Sequence, residues 1–402
     1  MSTPHLPPEI LDHIVDLLHD DQNALGECCL VSKSWISRTR KHIFADIRFD
    51  VREALESWKG TFPDPSTSPA HYTKTLHVSC LRFVVPADAG VGGWIRGFSR
   101  VVNLEFNTRY TLHADELAVF LTPFHGLSPA VKTLRVDFAV LPPWRIFNFI
   151  LTFPLLEDLT LIGDVDNTSI DNDDDPNELL TAIRLSSPPA FDGSLELPLN
   201  RGTRPIAHRL LFLQGGIHFR KLVLVWHRED EFSLAVALLE KCPHTLESLD
   251  ITRSLFGRRI CSASTPASIT YFLFPVESSS PPIDLSKIMA LKDVTFRLRS
   301  QSVEWITMAL KTITPGHHDL RQITIYPSYY VIRVCSDAEP SQAAHGQWLD
   351  LDHLLVQFWE SRSIRPRMIC AKGDERKVWD ILARLLLETI RRGIMDPVLV
   401  LR

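Results

Sequence analysis

Acidic side chains between Asp164 and Glu178 have the types and the spacing that could bind a calcium ion. Asp171, Asp173 and Asp175 alternate as oxygen ligands do at the start of a calcium-binding loop. Such a loop needs Gly at its sixth position and Glu at its twelfth. Pro176 stands at the sixth position and no Glu stands at the twelfth. The stretch therefore predicts a solvated insertion loop.

Histidines and cysteines are the other candidates for metal ligands or nucleophiles. His317, His318 and Asp319 follow Gly316, which favours a loop over a metal site. The seven cysteines are scattered without a Cys-x-x-Cys pair, so they predict reduced thiols and not a disulfide frame or a zinc site. Nucleophile-elbow, phosphate-loop and His-Glu-x-x-His motifs are all absent from the sequence. We therefore expect no catalytic residue, no metal and no cofactor.

Length and charge limit the class of protein. A chain of 402 residues, 45% hydrophobic and 23% charged, exceeds what one core usually supports, so two units or a repeat array are expected. The net charge of -5 argues against a nucleic-acid partner, which needs a concentrated basic face. The sequence has neither a secretory leader pattern nor an apolar run of about 18 to 20 residues. These features predict a soluble protein of the cytoplasm or nucleus, without a membrane partner.

Three short segments at the N-terminus show helical spacing of apolar residues. They lie between Leu6 and Leu18, between Ala24 and Val31, and between Trp35 and Phe44. Prolines at positions 7 and 8 suit the first turn of a helix. Three short helices cannot bury most of their own surface. The segment therefore either packs on the rest of the chain or offers an apolar face to a partner.

Three sequence blocks here resemble the F-box motif in order and spacing. They are Leu6–Leu11, Cys29–Trp35 and Arg40–Phe44, in a form similar to the large F-box families of mushroom-forming fungi. F-box modules bind the Skp adaptor, which joins them to a cullin scaffold and a ubiquitin-conjugating enzyme. The resemblance implies an F-box over residues 1–50. It also implies adaptor-binding residues, some of which would be core of the module: Leu6, Pro7, Pro8, Ile10, Leu11, Ile14, Leu25, Cys29, Leu30, Val31 and Trp35.

A short pattern, apolar-x-x-apolar-x-apolar, returns eight times in the rest of the chain. Alternate residues of such a segment point to one side, as in a short strand with one buried face. Most successive copies lie about 25 to 30 residues apart, within the range of repeat proteins. The copies are Thr73–Val78, Val101–Phe106, Val131–Val136, Leu156–Leu161, Phe219–Leu224, Leu246–Ile251, Leu291–Phe296 and Leu320–Ile325.

Helical periodicity appears between these segments. A strand–helix unit buries its apolar face only by stacking on its neighbours. We therefore predict an α/β fold: a small three-helix F-box module, then an irregular leucine-rich-repeat-like strand-helix solenoid over residues 51–402. Larger gaps after Leu161 and Ile251 predict insertions, and a mixed α/β domain with one continuous sheet is the alternative. The helical stretches are Ala114–Leu121, Trp144–Leu151, Ser233–Cys242, Val303–Ile313, Trp348–Trp359 and a C-terminal capping helix over Glu375–Ile390.

The resemblance implies the substrate-recognition subunit of a Skp/cullin/F-box ubiquitin ligase, which would link the Skp adaptor to an unknown protein substrate without catalysing a reaction. An interaction scaffold that acts outside a cullin ligase is the alternative. Aromatic residues near predicted strand ends are candidates for a binding hot spot, although they more often serve packing. These are Trp94, Trp226, Tyr326, Tyr329 and Tyr330.

Overall fold

A computed structural model describes most of the chain. The described residues are 7–79, 91–108, 121, 124, 127, 130–138, 143–162, 189–200, 202–213, 215–253, 283–298, 303–327, 342–369 and 375–395. Several sequence predictions fall outside them: Leu6, the acidic stretch with Asp171, Asp173 and Asp175, most of the stretch Ala114–Leu121, and Tyr329 and Tyr330.

Within those ranges the chain forms twelve α-helices, a short 3-10 helix at Pro69–Tyr72, and eleven β-strands. The helices are α1 Pro8–Leu17, α2 Gln22–Val31, α3 Lys33–Ile43, α4 Arg52–Thr61, α5 Val91–Ile95, α6 Pro143–Ile150, α7 Arg204–Leu211, α8 Glu229–Lys241, α9 Glu304–Lys311, α10 Gln342–Arg362, α11 Glu375–Leu385 and α12 Leu387–Arg391. The strands are β1 Asp46–Phe49, β2 Thr75–Ser79, β3 Asn103–Thr108, β4 Thr133–Phe138, β5 Asp158–Ile162, β6 Ser194–Leu199, β7 Lys221–Trp226, β8 Ser248–Arg253, β9 Asp293–Leu298, β10 Gln322–Pro327 and β11 Arg365–Met368.

The chain divides into two compact units. The first comprises Met1–Gly193 and Arg201–Gly215, and the second comprises Ser194–Asn200 and Gly216–Arg402. The first unit contains β1 to β5 and the second contains β6 to β11. The three N-terminal helices belong to the first unit, so the division into compact units does not fall at residue 50. The assignment of residues 1–50 and 51–402 to different roles stays a prediction.

In each unit, strand order follows sequence order and neighbouring strands are parallel. The predicted α/β class, the parallel strands and the three N-terminal helices are therefore confirmed. Leu76, Leu104, Leu134 and Leu159 are partners in adjacent strands of the first unit and are fully or almost fully buried. Residues on either side of them in the strands are exposed or half-buried. One face of these strands thus forms the core, and the other is polar.

A recurring backbone contact fixes the register of neighbouring strands. At the start of a strand, one carbonyl accepts hydrogen bonds from two consecutive amides of the next strand's entry. The carbonyl of Ala45, for example, accepts from the amides of Lys74 and Thr75 at 2.8 and 2.9 Å. The other carbonyls that do so are those of Lys74, Val102 and Lys132 in the first unit and of Arg220, Glu247 and Lys292 in the second.

Charged side chains reinforce this contact in both units. Lys132 Nζ lies 2.6 Å from Glu157 Oε1, and Lys292 Nζ lies 2.7 Å from Glu247 Oε2. The hydrogen bond from Lys292 lowers the pKa of the Glu247 carboxyl, and the bond to Glu157 raises the pKa of Lys132. Both pairs are partly exposed, so screening by solvent weakens the attraction.

All eight predicted strand segments contain a strand, although each strand begins about two residues later than the repeated pattern. Four predicted helices are likewise confirmed as α6, α8, α9 and α10. Three strands, β1, β6 and β11, were not predicted. The gap after Leu161, predicted as an insertion, also contains β6 and α7.

The segment before β6 shows why its pattern was missed. Phe191 is fully buried with φ of 45°, and it stands four residues before Leu195, where other repeats have a spacing of three. The backbone at Gly193 also passes close to the residues at the start of β5. A Cβ on Gly193 would lie 2.5 Å from Asp158 Oδ1 and 2.9 Å from the Glu157 carbonyl. Only glycine fits there without displacement of its neighbours.

Aromatic side chains join the end of α3 to the first strands. Trp58 on α4 packs against Phe62 with ring centroids 4.7 Å apart, and it contacts Phe44, which follows α3, at 6.0 Å. Trp58 also contacts Phe49 on β1 at 5.9 Å and Phe98 at 5.8 Å. The N-terminal helices are therefore continuous with the apolar core of the first unit.

The predicted C-terminal helix is instead two helices, α11 and α12, with a break at Leu386. A carboxylate explains the break. The fully buried Asp352 on α10 accepts hydrogen bonds from the amides of Glu388 and Thr389 at 2.8 and 2.9 Å, and also from the Thr389 hydroxyl. These amides are the unpaired donors of a new helix start. Gly393, with φ of 64°, follows α12 as the predicted C-terminal glycine.

The column of buried leucines predicts an asymmetric response to mutation within one strand. Leu159→Ala should reduce the free energy of unfolding by about 2 to 5 kcal/mol, because a cavity remains in a close-packed interior. Thr160→Ala, on the polar face of the same strand, should change it by no more than about 0.5 kcal/mol. Urea denaturation followed by far-ultraviolet circular dichroism compares them, and equal midpoints would contradict this assignment of the core.

Candidate functional site

Helix α1 carries two apolar stripes. The inner stripe consists of Leu11, Val15 and Leu18, the last of which directly follows the helix; Val15 is fully buried and the other two are half-buried. The outer stripe consists of Ile10, Ile14 and Leu17, which are exposed by 48%, 36% and 69%. Both follow the i, i+4, i+7 spacing of one helix face. The inner stripe therefore packs the helix against the protein, and the outer stripe remains exposed to solvent.

Helix α2 shows a similar division. Leu25 and Cys28 are buried, whereas Leu30 and Val31 at its C-terminal end are exposed by 82% and 67%. Ser32 then accepts a hydrogen bond from the amide of Ser34 and begins α3. The chain therefore turns directly after two exposed aliphatic residues.

The structure distributes the predicted adaptor-binding residues between surface and interior. Leu25 lies in the interior and does not contribute surface to a partner. Leu11, Cys29 and Trp35 are half-buried, and Leu6 lies outside the described residues. The exposed members are Pro7, Pro8, Ile10, Ile14, Leu30 and Val31.

Leu17 was missed as a site residue, although its spacing could have revealed it. It stands seven residues after Ile10 and three after Ile14, so it continues the same stripe. Among the aromatic candidates, Trp226 is fully buried, and Trp94 is half-buried against Phe49 and Phe98. Tyr326 stacks on the Arg297 guanidinium, with 4.4 Å between the Arg297 Cζ and the ring centroid.

A polar cluster holds α1 on α3. The Arg38 Nε donates a hydrogen bond to Asp16 Oδ1 at 2.7 Å, and its Nη2 donates to Asp16 Oδ2. His42 Nε2 lies 2.8 Å from Asp16 Oδ1. The Arg38 guanidinium, together with the His42 ring, holds the pKa of the Asp16 carboxyl well below its usual range. The hydrogen bond to Asp16 in turn raises the pKa of Arg38.

Several of the cysteines and histidines named above lie at least partly inside the protein, whereas His318 and Asp319 are exposed. Cys28 and Cys242 are buried free thiols, Cys29 is a half-buried one, and burial raises the pKa of Cys242 to about 11. His317 is buried, and its Nε2 lies 2.9 Å from the Leu285 carbonyl oxygen. The described residues contain no group of three or more side chains that could hold a metal ion.

None of the helices in the described ranges combines the length and the apolar character needed to cross a bilayer. Comparison of the sequence with protein-family models and with curated proteins found no match.

The Asp16 cluster predicts a local loss of stability when its charge is removed. Asp16→Asn should weaken the attachment of α1 to α3 by about 1 kcal/mol, the upper value for a partly exposed pair, and speed amide exchange there about fivefold. Hydrogen exchange measured by mass spectrometry at neutral pH tests this. Asp20→Asn, which removes an equally negative but highly exposed carboxylate, is the control and should leave exchange unchanged.

The same cluster predicts the direction of the pH dependence. The folded pKa of Asp16 is lowered, so its stabilisation is present above the unfolded value of about 3.9 and is lost as pH falls through the folded value. The difference between the wild type and Asp16→Asn should therefore shrink in acid. Equal protection of α1 and α3 in the two proteins at neutral pH would show that the cluster does not hold these helices together.

Proposed function

We propose that this chain is a non-enzymatic F-box protein, the substrate-recognition subunit of a Skp/cullin/F-box ubiquitin ligase. Its N-terminal helices would bind the Skp adaptor, and its later strand–helix units would bind a protein target. The observation that carries the proposal is the exposed outer stripe of α1, Ile10, Ile14 and Leu17, on a helix whose inner stripe already supplies its packing.

The exposed stripe leaves three large aliphatic side chains in contact with water. Burying a large aliphatic side chain is worth roughly 1.5 to 3 kcal/mol, so three in one row offer substantial binding energy to a partner helix or groove. Polar residues of the same helix flank the stripe: Glu9, Asp12 and His13 are exposed. An apolar centre with a polar rim is the usual anatomy of a protein–protein interface.

The attachment of the N-terminal helices suits a module that tethers the first unit to a partner. The Asp16 cluster fixes α1 to α3, and the aromatic contacts of Phe44 with Trp58 continue from α3 into the first unit. A docking module held this firmly would keep the first unit at a defined position relative to the adaptor. In the proposed complex, ubiquitin transfer follows from the raised local concentration of the target, and the chain supplies no catalytic residue.

The proposal for residues 51–402 is an irregular leucine-rich-repeat-like solenoid with a C-terminal cap. It is supported by the sequential order of parallel strands in each unit and by the repeated backbone contact that links successive strands. Each repeat then depends chiefly on its neighbours, as in other repeat proteins. The packing of α12 against α10 through Asp352 supports the cap.

Truncation of the outer stripe tests the proposed adaptor site. The double variant Ile14→Ala and Leu17→Ala should lose at least about 2 kcal/mol of adaptor binding, or roughly thirtyfold in affinity, if the stripe is a hot spot. Both side chains are exposed, so the fold should be unaffected. Calorimetry with purified Skp adaptor measures the affinity, and circular dichroism of the same samples checks the fold.

A matched control uses two exposed apolar residues elsewhere in the first unit. Leu155→Ala with Phe212→Ala should bind the adaptor as the wild type does. Failure of the wild-type chain to bind the adaptor would refute the proposal. Adaptor capture without cullin, in a mixture that contains both, would favour the alternative of an interaction scaffold that acts outside a cullin ligase.

A further inference from the structure

Most positive charges of the first unit are paired, and the unpaired ones come from neighbouring elements. Salt bridges with carboxylates are formed by Arg38, Arg48, Lys59, Lys132 and Arg135. Among the described side chains of this unit, six other cations are exposed and form no salt bridge: Lys33, Arg40, Lys41, Lys74, Arg96 and Arg100. All six lie on α3 or in the segments that lead into β2 and β3.

The unpaired cations come from two stretches of sequence that are poor in acidic residues. Residues 33–45 contain four Lys or Arg residues and no Asp or Glu. Residues 65–104 also contain four Lys or Arg residues, and Asp88, outside the described residues, is the one acidic residue among them. In a chain with a net charge of -5, these two stretches concentrate positive charge in one part of the first unit.

Backbone contacts bring these two stretches together. The Ala45 carbonyl, four residues after Lys41, accepts a hydrogen bond from the Lys74 amide at 2.8 Å. The Lys74 carbonyl accepts in turn from the amide of Val102, two residues after Arg100, at 2.8 Å. Standard backbone dimensions then place the Cα atoms of Lys74 and Arg100 within about 12 Å of each other. We define the basic edge as Arg40, Lys41, Lys74 and Arg100.

Lys74 lacks the kind of neighbour that neutralises a charge at other strand entries. Lys132, which stands before β4, pairs with Glu157 before β5 at 2.6 Å. The residues at the corresponding places on either side of Lys74 are Ala45 and Val102, which are both uncharged. The row of entry residues therefore leaves the charge of Lys74 uncompensated.

Helix α3 explains only part of the charge of the basic edge. Arg40 and Lys41 lie in its last turn, where the helix dipole favours cations. Lys74 and Arg100 lead into β2 and β3, so this dipole does not account for them. Like charges held near one another repel, and a bound anion would replace that repulsion by attraction. The basic edge therefore favours a negatively charged partner.

The rest of the molecule restricts the kind of anion. Because the net charge is -5, a long polyanion such as a nucleic acid would be repelled where it leaves the basic edge. Nucleic-acid sites also commonly stack bases on aromatic side chains. The described aromatic side chains of residues 33–45 and 65–104 are buried or half-buried. A short acidic segment of a protein meets neither difficulty.

We propose that the basic edge binds an acidic segment of the protein that docks on α1. The inference rests on the proposed function, which identifies that protein as the Skp adaptor. Arg40 and Lys41 belong to α3, to which the Asp16 cluster fixes α1, so the outer stripe and part of the edge belong to one helical module. Complementary charges at an exposed rim act mainly on the rate of association. The basic edge thus speeds docking, and the apolar stripe sets the lifetime of the complex.

Association kinetics of the full chain with purified Skp adaptor test this inference. The double variant Lys74→Glu and Arg100→Glu should slow association at least about fivefold in about 50 mM salt, because it replaces attraction by repulsion. The dissociation rate should change by less than about twofold, since neither side chain belongs to the apolar stripe. In about 500 mM salt the association rates of the two proteins should converge. Stopped-flow fluorescence with a labelled adaptor measures both rates.

Matched variants separate the basic edge from the general charge of the protein. Lys241→Glu with Lys311→Glu reverses two exposed cations of the second unit and should leave the association rate within about twofold of the wild type. Arg40→Gln with Lys41→Gln removes charge from the α3 side of the edge and should slow association as the first variant does. Circular dichroism checks that each variant is folded.

A peptide probe tests the chemistry of the edge without the adaptor. In about 50 mM salt, a fluorescent nonapeptide of alternating Glu and Gly should bind the wild type at least about tenfold more tightly than its Gln and Gly counterpart. The preference should disappear in the variant Lys74→Glu with Arg100→Glu. Tighter binding of a single-stranded oligonucleotide of equal charge would overturn the inference in favour of a nucleic-acid partner.

The kinetic results also keep the two proposals apart. Equal association rates of the wild type and the Lys74→Glu, Arg100→Glu variant at low salt would overturn the inference, as would an equal loss in the control with Lys241→Glu and Lys311→Glu. Failure of the wild type to bind the adaptor at all would refute the proposed function. Adaptor binding to which the basic edge contributes nothing would refute only the inference.

Discussion

The carbonyl shared at the entry of seven of the described strands is the contact on which the rest of the structure depends. One oxygen receives two successive amides from the next strand, as at Ala45 with Lys74 and Thr75. This fixes the register, and a slip by one residue would turn every buried leucine to the solvent. The apolar core and the polar face of the strands both follow from it.

Sequence periodicity located the strands well because each repeat needs an apolar residue at the same position of its strand. Leu134 and Leu159 are recognisable since both must fill the same place in successive layers. Periodicity did not reveal the strands whose sequence hides this pattern. Phe44 begins a repeat pattern with Ile47 and Phe49, but its nearness to α3 made it look helical. Pro366 lacks an amide hydrogen, which makes β11 look unlike a strand.

The candidate site was only partly predictable, for a different physical reason. Helical spacing identifies which residues share a face, but not which of two adjacent faces the rest of the chain covers. Leu25 and Leu30 are both apolar residues of α2, yet one is fully buried and the other is largely exposed. The cluster around Asp16 could not be predicted from the sequence, because the partners Arg38 and His42 stand more than twenty residues further along.

Sequential strand order also bears on synthesis of the chain. A strand that emerges from the ribosome finds its hydrogen-bonding partner among residues already made, so each unit can fold in the direction of translation. Asp352 is an exception, because its donors at Glu388 and Thr389 are made 36 and 37 residues later. Until then its carboxylate must stay hydrated or be buried without donors, at a cost of about 1 to 3 kcal/mol or more. We therefore expect α10 to settle into its final packing only after Glu388 and Thr389 have been synthesised.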